Sequence, residues 1–342
     1  MKALFLRKMQ NIGPDSRPLD LLETPIPSPG PGEVLIRVAA CGICHTELDE
    51  IEGRLPPAFL PIILGHQVVG RIEGCGSGAA HFKSGDRVGV GWFSDSCGAC
   101  AFCRSGFENL CRQYQATGRD RHGGYAEYMT APEKSVFAMP DSFSDLDAAP
   151  LLCAGAIGYR SLKLSGIGEG GCLGLTGFGA SGHLILRLLR KTRPGTRVFV
   201  FARNENERRF ALESGAAWAG GTDAESPEKL DAVVDTTPVW TPVVEALKNL
   251  KAGGRLVINA IRKEESDKES LLRIDYPSHL WMEKEVKTVA NVAPSDIAEF
   301  LSVAAEMSIR PDVRTYSLDQ ANRALVELKE GLIRGAKVLR MD

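Results

Sequence analysis

The sequence predicts an α/β protein with two domains, an irregular β-barrel followed by a doubly wound parallel sheet. Three observations support this. A length of 342 residues suits about two domains. The first ~150 residues are short β-branched runs cut by Gly and Pro. From about Gly171, apolar strands alternate with helical periods.

In the first part, Val34-Leu35-Ile36-Arg37-Val38-Ala39-Ala40 reads as a strand, and Ile62 to Ile72 and Asp86 to Val90 as two more. Few stretches there sustain a helical period, so a β-barrel with long loops is expected. The second part runs Cys172–Thr176 (strand), Leu184–Leu189 (helix), Val198–Phe201 (strand), Asn204–Ser214 (helix), Leu230–Asp235 (strand), Val243–Leu250 (helix), Arg255–Ile258 and Val286–Ala290 (strands). Apolar strands without alternation indicate a parallel sheet buried on both faces. After Pro294 come helical stretches Ser295–Glu306 and Leu318–Glu330 and a strand-like Lys337–Leu339, a tail expected to return to the first domain. The charged stretch Glu264 to Glu269 reads as a solvated loop. The expected boundaries are 1–153, 154–293 and 294–342.

Composition narrows the function. Lys plus Arg number 41 against 43 Asp plus Glu, a formal net charge of −2, which gives no electrostatic reason to expect nucleic acid or an acidic membrane surface as partner. No apolar run has signal-peptide or membrane-spanning length. Nine cysteines, four of them within fifteen residues, fit metal binding better than a disulfide framework. A reducing cytoplasm is the expected compartment.

Gly177-Phe178-Gly179-Ala180-Ser181-Gly182 has G-x-G-x-x-G spacing between an apolar strand and an apolar helix, the context a dinucleotide loop requires. Gly177 serves the tight turn, Gly179 the approach of pyrophosphate and Gly182 the close packing of helix on strand. The competing reading is a Gly-rich turn in an ordinary α/β domain. The second strand ends Val200-Phe201-Ala202-Arg203-Asn204, without the carboxylate that selects NAD. Arg203 there suits a 2′-phosphate, with Asn204 as a further donor, so NADP(H) is the expected cofactor. If Arg203 instead points into solvent, the site tolerates NAD(H).

Cys97, Cys100, Cys103 and Cys111 give C-x2-C-x2-C-x7-C, four thiolates able to close a tetrahedral zinc shell that holds a loop together. An iron–sulfur cluster is the alternative, though nothing else suggests electron transfer. Cys44, His66 and Cys153 are scattered, and each alone would be a bland residue.

Cys44-His45-Thr46, Gly65-His66, the four-Cys loop, Leu152-Cys153-Ala154-Gly155 and the glycine loop occur in the order seen in zinc-dependent alcohol dehydrogenases of the medium-chain dehydrogenase/reductase superfamily. Across essentially the whole chain the sequence resembles bacterial members of that family, and is also similar to cinnamyl-alcohol dehydrogenases. The resemblance implies a GroES-like catalytic domain carrying both zinc sites, a Rossmann domain, and an active site in the cleft between them. It makes Cys44, His66 and Cys153 the ligands of a catalytic zinc, Glu47 the carboxylate that orients His66, and Thr46 the hydroxyl that passes the substrate proton on. Two zinc ions per subunit are expected. Gln67 stands where the family usually has Glu, and Asp49 where the relay often ends in His; Asp49 is a candidate for releasing the proton to solvent. His45 is a candidate phosphate contact or an exposed loop residue. Cys41 has C-x2-C spacing to Cys44 and suggests a metal pair, but the resemblance selects Cys44 alone; Cys41, Cys75 and Cys172 read as small apolar residues. Trp92, Phe93, Tyr114 and Trp281 are candidates for an apolar pocket wall, or simply core. The implied reaction is reversible oxidation of a small-molecule alcohol to an aldehyde or ketone by NADP⁺, with carbonyl reduction the expected direction in cells. The alternatives are an NAD-dependent alcohol or polyol dehydrogenase and a non-catalytic NADPH-binding zinc scaffold. A homodimer or homotetramer is expected.

Overall fold

The computed structural model describes residues 1–332 and 334–341, which form two compact units: Met1–Ala156 with the chain from Val292 onward, and Ile157–Asn291. In the first unit, β1 (Lys2–Leu6) pairs antiparallel with β2 (Leu19–Glu23). The long strand β3 (Glu33–Ile43) runs directly into α1 (His45–Ile51). β4 (Ile62–Ile63) adds to β1, β5 (Val68–Cys75) pairs with β3, and β6 (Arg87–Val90) pairs with β5. β7 (Phe93–Asp95), α2 (Ala101–Arg104) and β8 (Gln115–Ala116) frame the four-Cys loop. β9 (Tyr128–Pro132) joins β3 and β10 (Val136–Ala138) joins β6, before α3 (Asp145–Ala148); α4 (Ala154–Ser165) begins at the end of this unit and continues into the second.

The second unit contains β11 (Cys172–Thr176), α5 (Ala180–Thr192), β12 (Arg197–Phe201), α6 (Glu205–Glu213), β13 (Trp218–Gly220), β14 (Leu230–Asp235), α7 (Thr241–Asn249), β15 (Leu250–Ile258) and β16 (Glu285–Thr288). Its strands are all parallel, in the order β13-β12-β11-β14-β15-β16. That is the doubly wound order, in which the chain reverses direction between β11 and β14 and ligands bind beyond the carboxyl ends of the strands. All five residues of β11 are buried, as a central parallel strand requires. The chain then returns: α8 (Pro294–Glu306), β17 (Val313–Ser317), α9 (Ala321–Lys329) and β18 (Ala336–Arg340), with β18 antiparallel to β3 in the first unit's large sheet.

Two local features depart from the sequence expectation, and both serve the site. Ile62–Ile72 is not one strand; it breaks at residues 64–67, where Gly65 adopts φ +97. A Cβ at Gly65 would stand 2.4 Å from the Tyr125 ring, so glycine is required there for steric as well as conformational reasons. The second is α1, whose seven residues are too few to show a helical period. It is held by Leu48 and Ile51, both fully buried in the core with Leu4, Ile36, Val68 and Leu325. Burial of each such side chain contributes roughly 1.5–3 kcal/mol.

Candidate active site

Cys44 caps α1 at the end of β3, His66 occupies the break between β4 and β5, and Cys153 ends the short 3-10 turn Ala149–Leu152 ahead of α4. Their ligand atoms all lie within 4.8 Å of one another. Glu47 connects two of the three. Its Oε2 accepts the Cys44 N–H at 2.7 Å, and its Oε1 lies 2.7 Å from His66 Nδ1. With Nδ1 so held, His66 turns Nε2 to 3.3 Å from Cys153 Sγ. The Trp92 ring, itself buried, stands edge-on to the imidazole at 4.9 Å. Burial alone would lower the His66 pKa, but Glu47 overrides it and raises it well above the usual value. The hydrogen bond from Cys153, helped by His66, pulls the Cys44 thiol well below its ordinary range. A carboxylate, an imidazole and two thiols buried this close together form a donor set that a cation fits, its binding displacing their protons.

Around this cluster, Thr46 Oγ1 lies 3.6 Å from Cys44 Sγ. Asp49 is 4% exposed and its Oδ1 accepts from Arg54 Nε at 2.6 Å, so the carboxylate is an interior ion pair rather than an open route to solvent. Gln67 is buried on Gly42, where a Cβ would come 2.7 Å from its Oε1. Cys41 Sγ faces the Gly42 carbonyl at 3.7 Å and stays outside the cluster. Glu50, three residues after Glu47, is fully buried with no hydrogen-bond partner among the described residues on either carboxylate oxygen, and burial holds its pKa well above the carboxylate range. Of the aromatic candidates, Trp92 touches His66 and Phe93 packs edge-on against Tyr114 at 5.7 Å. Trp281 belongs to the other unit, half exposed beside Tyr276.

The ligand atoms of Cys97, Cys100, Cys103 and Cys111 also lie within 4.8 Å of one another. Sulfur–sulfur separations are 3.5 Å for Cys100–Cys103 and Cys97–Cys111 and 3.8 Å for Cys97–Cys103. The Ala99 and Cys100 N–H groups donate to Cys97 and pull its thiol down to about 6, leaving it largely thiolate at neutral pH. Four sulfurs with no fifth donor in the group are the donor set of a closed tetrahedral zinc site.

In the second unit, Thr176 ends β11 and the chain turns through Gly177 at φ +78 into α5, which opens at Ala180 with Ser181 and Gly182 in its first turn. A Cβ on Gly177 would meet Thr236 Oγ1 at 2.9 Å. Phe178 is fully buried and packs on Phe210 of α6 at 5.3 Å, which ties the loop to the next helix. Gly179 caps α5, so the helix presents its N-terminal N–H groups at this loop, the arrangement that receives phosphate. Arg203 follows β12 and is exposed. Asn204 differs from the expectation of a free donor: its Oδ1 accepts the Glu207 N–H at 2.7 Å as the cap of α6, and its Nδ2 donates to the Glu207 carboxylate.

The alcohol dehydrogenase GroES-like domain family matches residues 30–141. Over 338 residues the chain is 41% identical to a probable alcohol dehydrogenase AdhA of Mycobacterium tuberculosis, covering 97% of this chain and 96% of that protein. The chain belongs to the zinc-dependent alcohol dehydrogenase family of the medium-chain dehydrogenase/reductase superfamily. As a member of this family it is an oxidoreductase acting on alcohols. A probable cinnamyl alcohol dehydrogenase of Populus deltoides is 31% identical over 319 residues, 89% of this chain and 87% of that protein. Among solved structures, CAD from Helicobacter pylori complexed with NADP(H) is 25% identical with a TM-score of 0.86 (99% of this chain, 97% of that one). An NAD-dependent alcohol dehydrogenase is 26% identical with a TM-score of 0.87 over the whole of both chains. Both share the fold that the sequence predicts. Among the described residues no helix of this alcohol dehydrogenase is long and apolar enough to cross a membrane.

Sequence reasoning misses three groups in this alcohol dehydrogenase: Glu50, Arg54 and the Asp235–Lys263 pair. Only Arg54 leaves a local signal, five residues beyond Asp49.

Proposed function

We propose that this alcohol dehydrogenase is a zinc enzyme that prefers NADP(H) and works chiefly as an aldehyde or ketone reductase. The observation that carries the proposal is the convergence of Cys44, His66 and Cys153 on one point. Two thiolates and a neutral imidazole offset the charge of Zn²⁺ and leave a fourth position for substrate, so the donor set fits a catalytic zinc. Zinc held there supplies a Lewis acid to the substrate oxygen. Glu47 keeps the remaining imidazole proton on Nδ1 and leaves Nε2 as the ligand atom. In alcohol oxidation Thr46 Oγ1 accepts the hydroxyl proton and passes its own onward. Asp49, bonded to Arg54 Nε, ties the last turn of α1 to the chain that follows it instead of exchanging that proton with solvent. Residues 177–182 and the N-terminus of α5 hold the pyrophosphate, and Arg203 pairs with the 2′-phosphate. The bound nicotinamide is the hydride donor or acceptor. Cys97, Cys100, Cys103 and Cys111 hold a second, structural zinc.

One observation favours the NAD(H) reading. Glu207, buried beside Arg203, accepts the Phe178 N–H of the glycine loop and puts a carboxylate close to where a ribose would lie. A panel of aldehydes and ketones with NADPH and NADH in parallel, before and after chelation, tests the proposal. Preferential NADPH consumption that chelation abolishes is expected. Chelator-insensitive turnover would indicate a metal-free reductase, NADH preference would give the cofactor choice to Glu207, and no turnover would leave a binding scaffold.

The proposed homo-oligomer forms through the second unit. β16 ends the parallel sheet with all four residues exposed, and Leu272, Trp281 and Met282 nearby in sequence are 89%, 54% and 54% exposed. An edge strand beside exposed apolar side chains favours pairing with a second copy. Light scattering should find no monomer at micromolar concentration. The nine cysteines, all outside disulfides, fit the proposed reducing cytoplasm.

A further inference from the structure

Beneath the glycine loop lies a buried ion pair that the reaction described above does not use. Asp235, the last residue of β14, is fully buried, and the Lys263 side chain is 8% exposed. Lys263 Nζ donates to Asp235 Oδ2 at 2.5 Å, to the Thr237 carbonyl at 2.8 Å and to the Val239 carbonyl at 2.9 Å, so all three of its N–H bonds have acceptors. Asp235 Oδ1 accepts from Thr176 Oγ1 at 2.5 Å and Thr237 Oγ1 at 2.7 Å. The pair therefore links the end of β11, the end of β14 and the turn that follows β14.

That turn is the wall on which the glycine loop rests. Thr236 donates to the Thr176 carbonyl through both its N–H (3.1 Å) and its Oγ1 (2.8 Å), and Thr176 immediately precedes Gly177. Gly177 lies close enough to this turn that a Cβ would be 2.9 Å from Thr236 Oγ1 and 3.2 Å from Thr237 Cγ2. The chain around Lys263 is anchored twice more, once to this turn and once to the residues just after it. Glu264 N–H donates to the Pro238 carbonyl at 2.6 Å, and Asp267 accepts from the Trp240 and Thr241 N–H groups at 2.9 and 2.7 Å. No neutral side chain can bond one carboxylate and two backbone carbonyls from a single atom, which gives a reason for a charge at a site where burial penalises it.

We propose that Lys263, acting through Asp235, is a positioning residue for the dinucleotide: it fixes the 236–239 turn against Gly177 and so sets how tightly the glycine loop holds the cofactor pyrophosphate. The proposal rests on reading residues 177–182 as the dinucleotide loop. Lys263→Met breaks the clasp and also strands a buried carboxylate. The double substitution Asp235→Asn with Lys263→Met removes the stranded charge, while the amide oxygen of the shortened clasp still accepts from Thr176 and Thr237. Tm, zinc content and the dissociation constant for NADPH (by its fluorescence) are measured on the zinc-loaded protein, with KM and kcat alongside. The double variant should regain most of the Tm that the single variant loses, yet bind NADPH more weakly than wild type by about tenfold to a hundredfold, the size expected when a supporting contact shifts a binding group. The rise should fall on KM for NADPH rather than on kcat, with zinc content unchanged. A folded single or double variant that binds NADPH within about twofold of wild type overturns the assignment. So does failure of both variants to fold, which would make the pair a folding element. Wild-type protein that binds neither NADPH nor NADH would instead remove the dinucleotide reading, and the inference with it.

Discussion

Glu47→Gln probes the arrangement that makes the cluster a metal site. The substitution keeps the volume of the side chain but replaces one acceptor oxygen with an NH2 donor. In the native protein both oxygens are engaged: one accepts the Cys44 N–H and the other stands in ion-pair contact with His66 Nδ1, each at 2.7 Å. Glutamine can satisfy one of these donors and must present its own N–H to the other. The loss is one charge-assisted contact in a fully buried setting, about 1.5–3 kcal/mol. At 1.4 kcal/mol per tenfold, that is about a 10- to 100-fold weaker hold on zinc, the range seen when the partner of a ligating histidine is removed. Competition against a chromophoric chelator measures it, with the four-Cys zinc as internal standard because its donors do not include Glu47. The fast-released fraction should grow only for the His66 site. Zinc release indistinguishable from wild type would show that His66 needs no carboxylate to orient it.

Other expectations follow from the same geometry. Cys103→Ser removes one of four sulfurs, and the loop should lose its zinc and become trypsin-sensitive at Arg104 and Arg112; a cleavage pattern unchanged from wild type would contradict a structural role. Arg203→Ala removes the cation proposed for the 2′-phosphate, so KM for NADPH should rise about tenfold or more relative to KM for NADH, the value of one charge-assisted contact; an unchanged ratio sinks the cofactor assignment. Glu327 provides a pH test. Burial raises its pKa, but hydrogen bonds from Lys337, Tyr316 and Arg323 outweigh burial and hold it down to about 2. A depressed carboxyl stabilises the fold above its unfolded pKa and loses that contribution as pH falls toward 2, at most about 3 kcal/mol and less once solvent screens the exposed Arg323. The urea-denaturation gap between wild type and Glu327→Gln should therefore be full near pH 7 and close progressively below about pH 4.5; a gap independent of pH would argue against it.

The framework is legible in the sequence where the signal is local and repeated. Cys172–Thr176 and Leu230–Asp235 emerge as strands with the anticipated bounds, because central parallel strands are uninterrupted apolar runs. The four-Cys loop is visible because its ligands lie close along the chain. The second cluster is not, since Cys44, His66 and Cys153 come from three distant elements and only the resemblance selects them. Glu47 gains its meaning from contact with His66, which no spacing reveals. Asn204 has a second role that is open to reading: Asn followed three residues later by Glu207 is the pattern of a helix N-terminus, and the side chain caps α6. Lys263 lies next to a charged stretch that reads as solvated loop, yet it is buried, because its partner Asp235 sits at the far end of another strand.

Zinc content measured alongside carbonyl reduction in wild type and Cys153→Ala tests whether Cys44, His66 and Cys153 share one zinc. Wild type should hold about two zinc ions per chain and the variant about one, with NADPH-dependent reduction abolished and the four-Cys zinc retained. Equal zinc in both proteins, or full activity in the variant, would contradict a shared zinc.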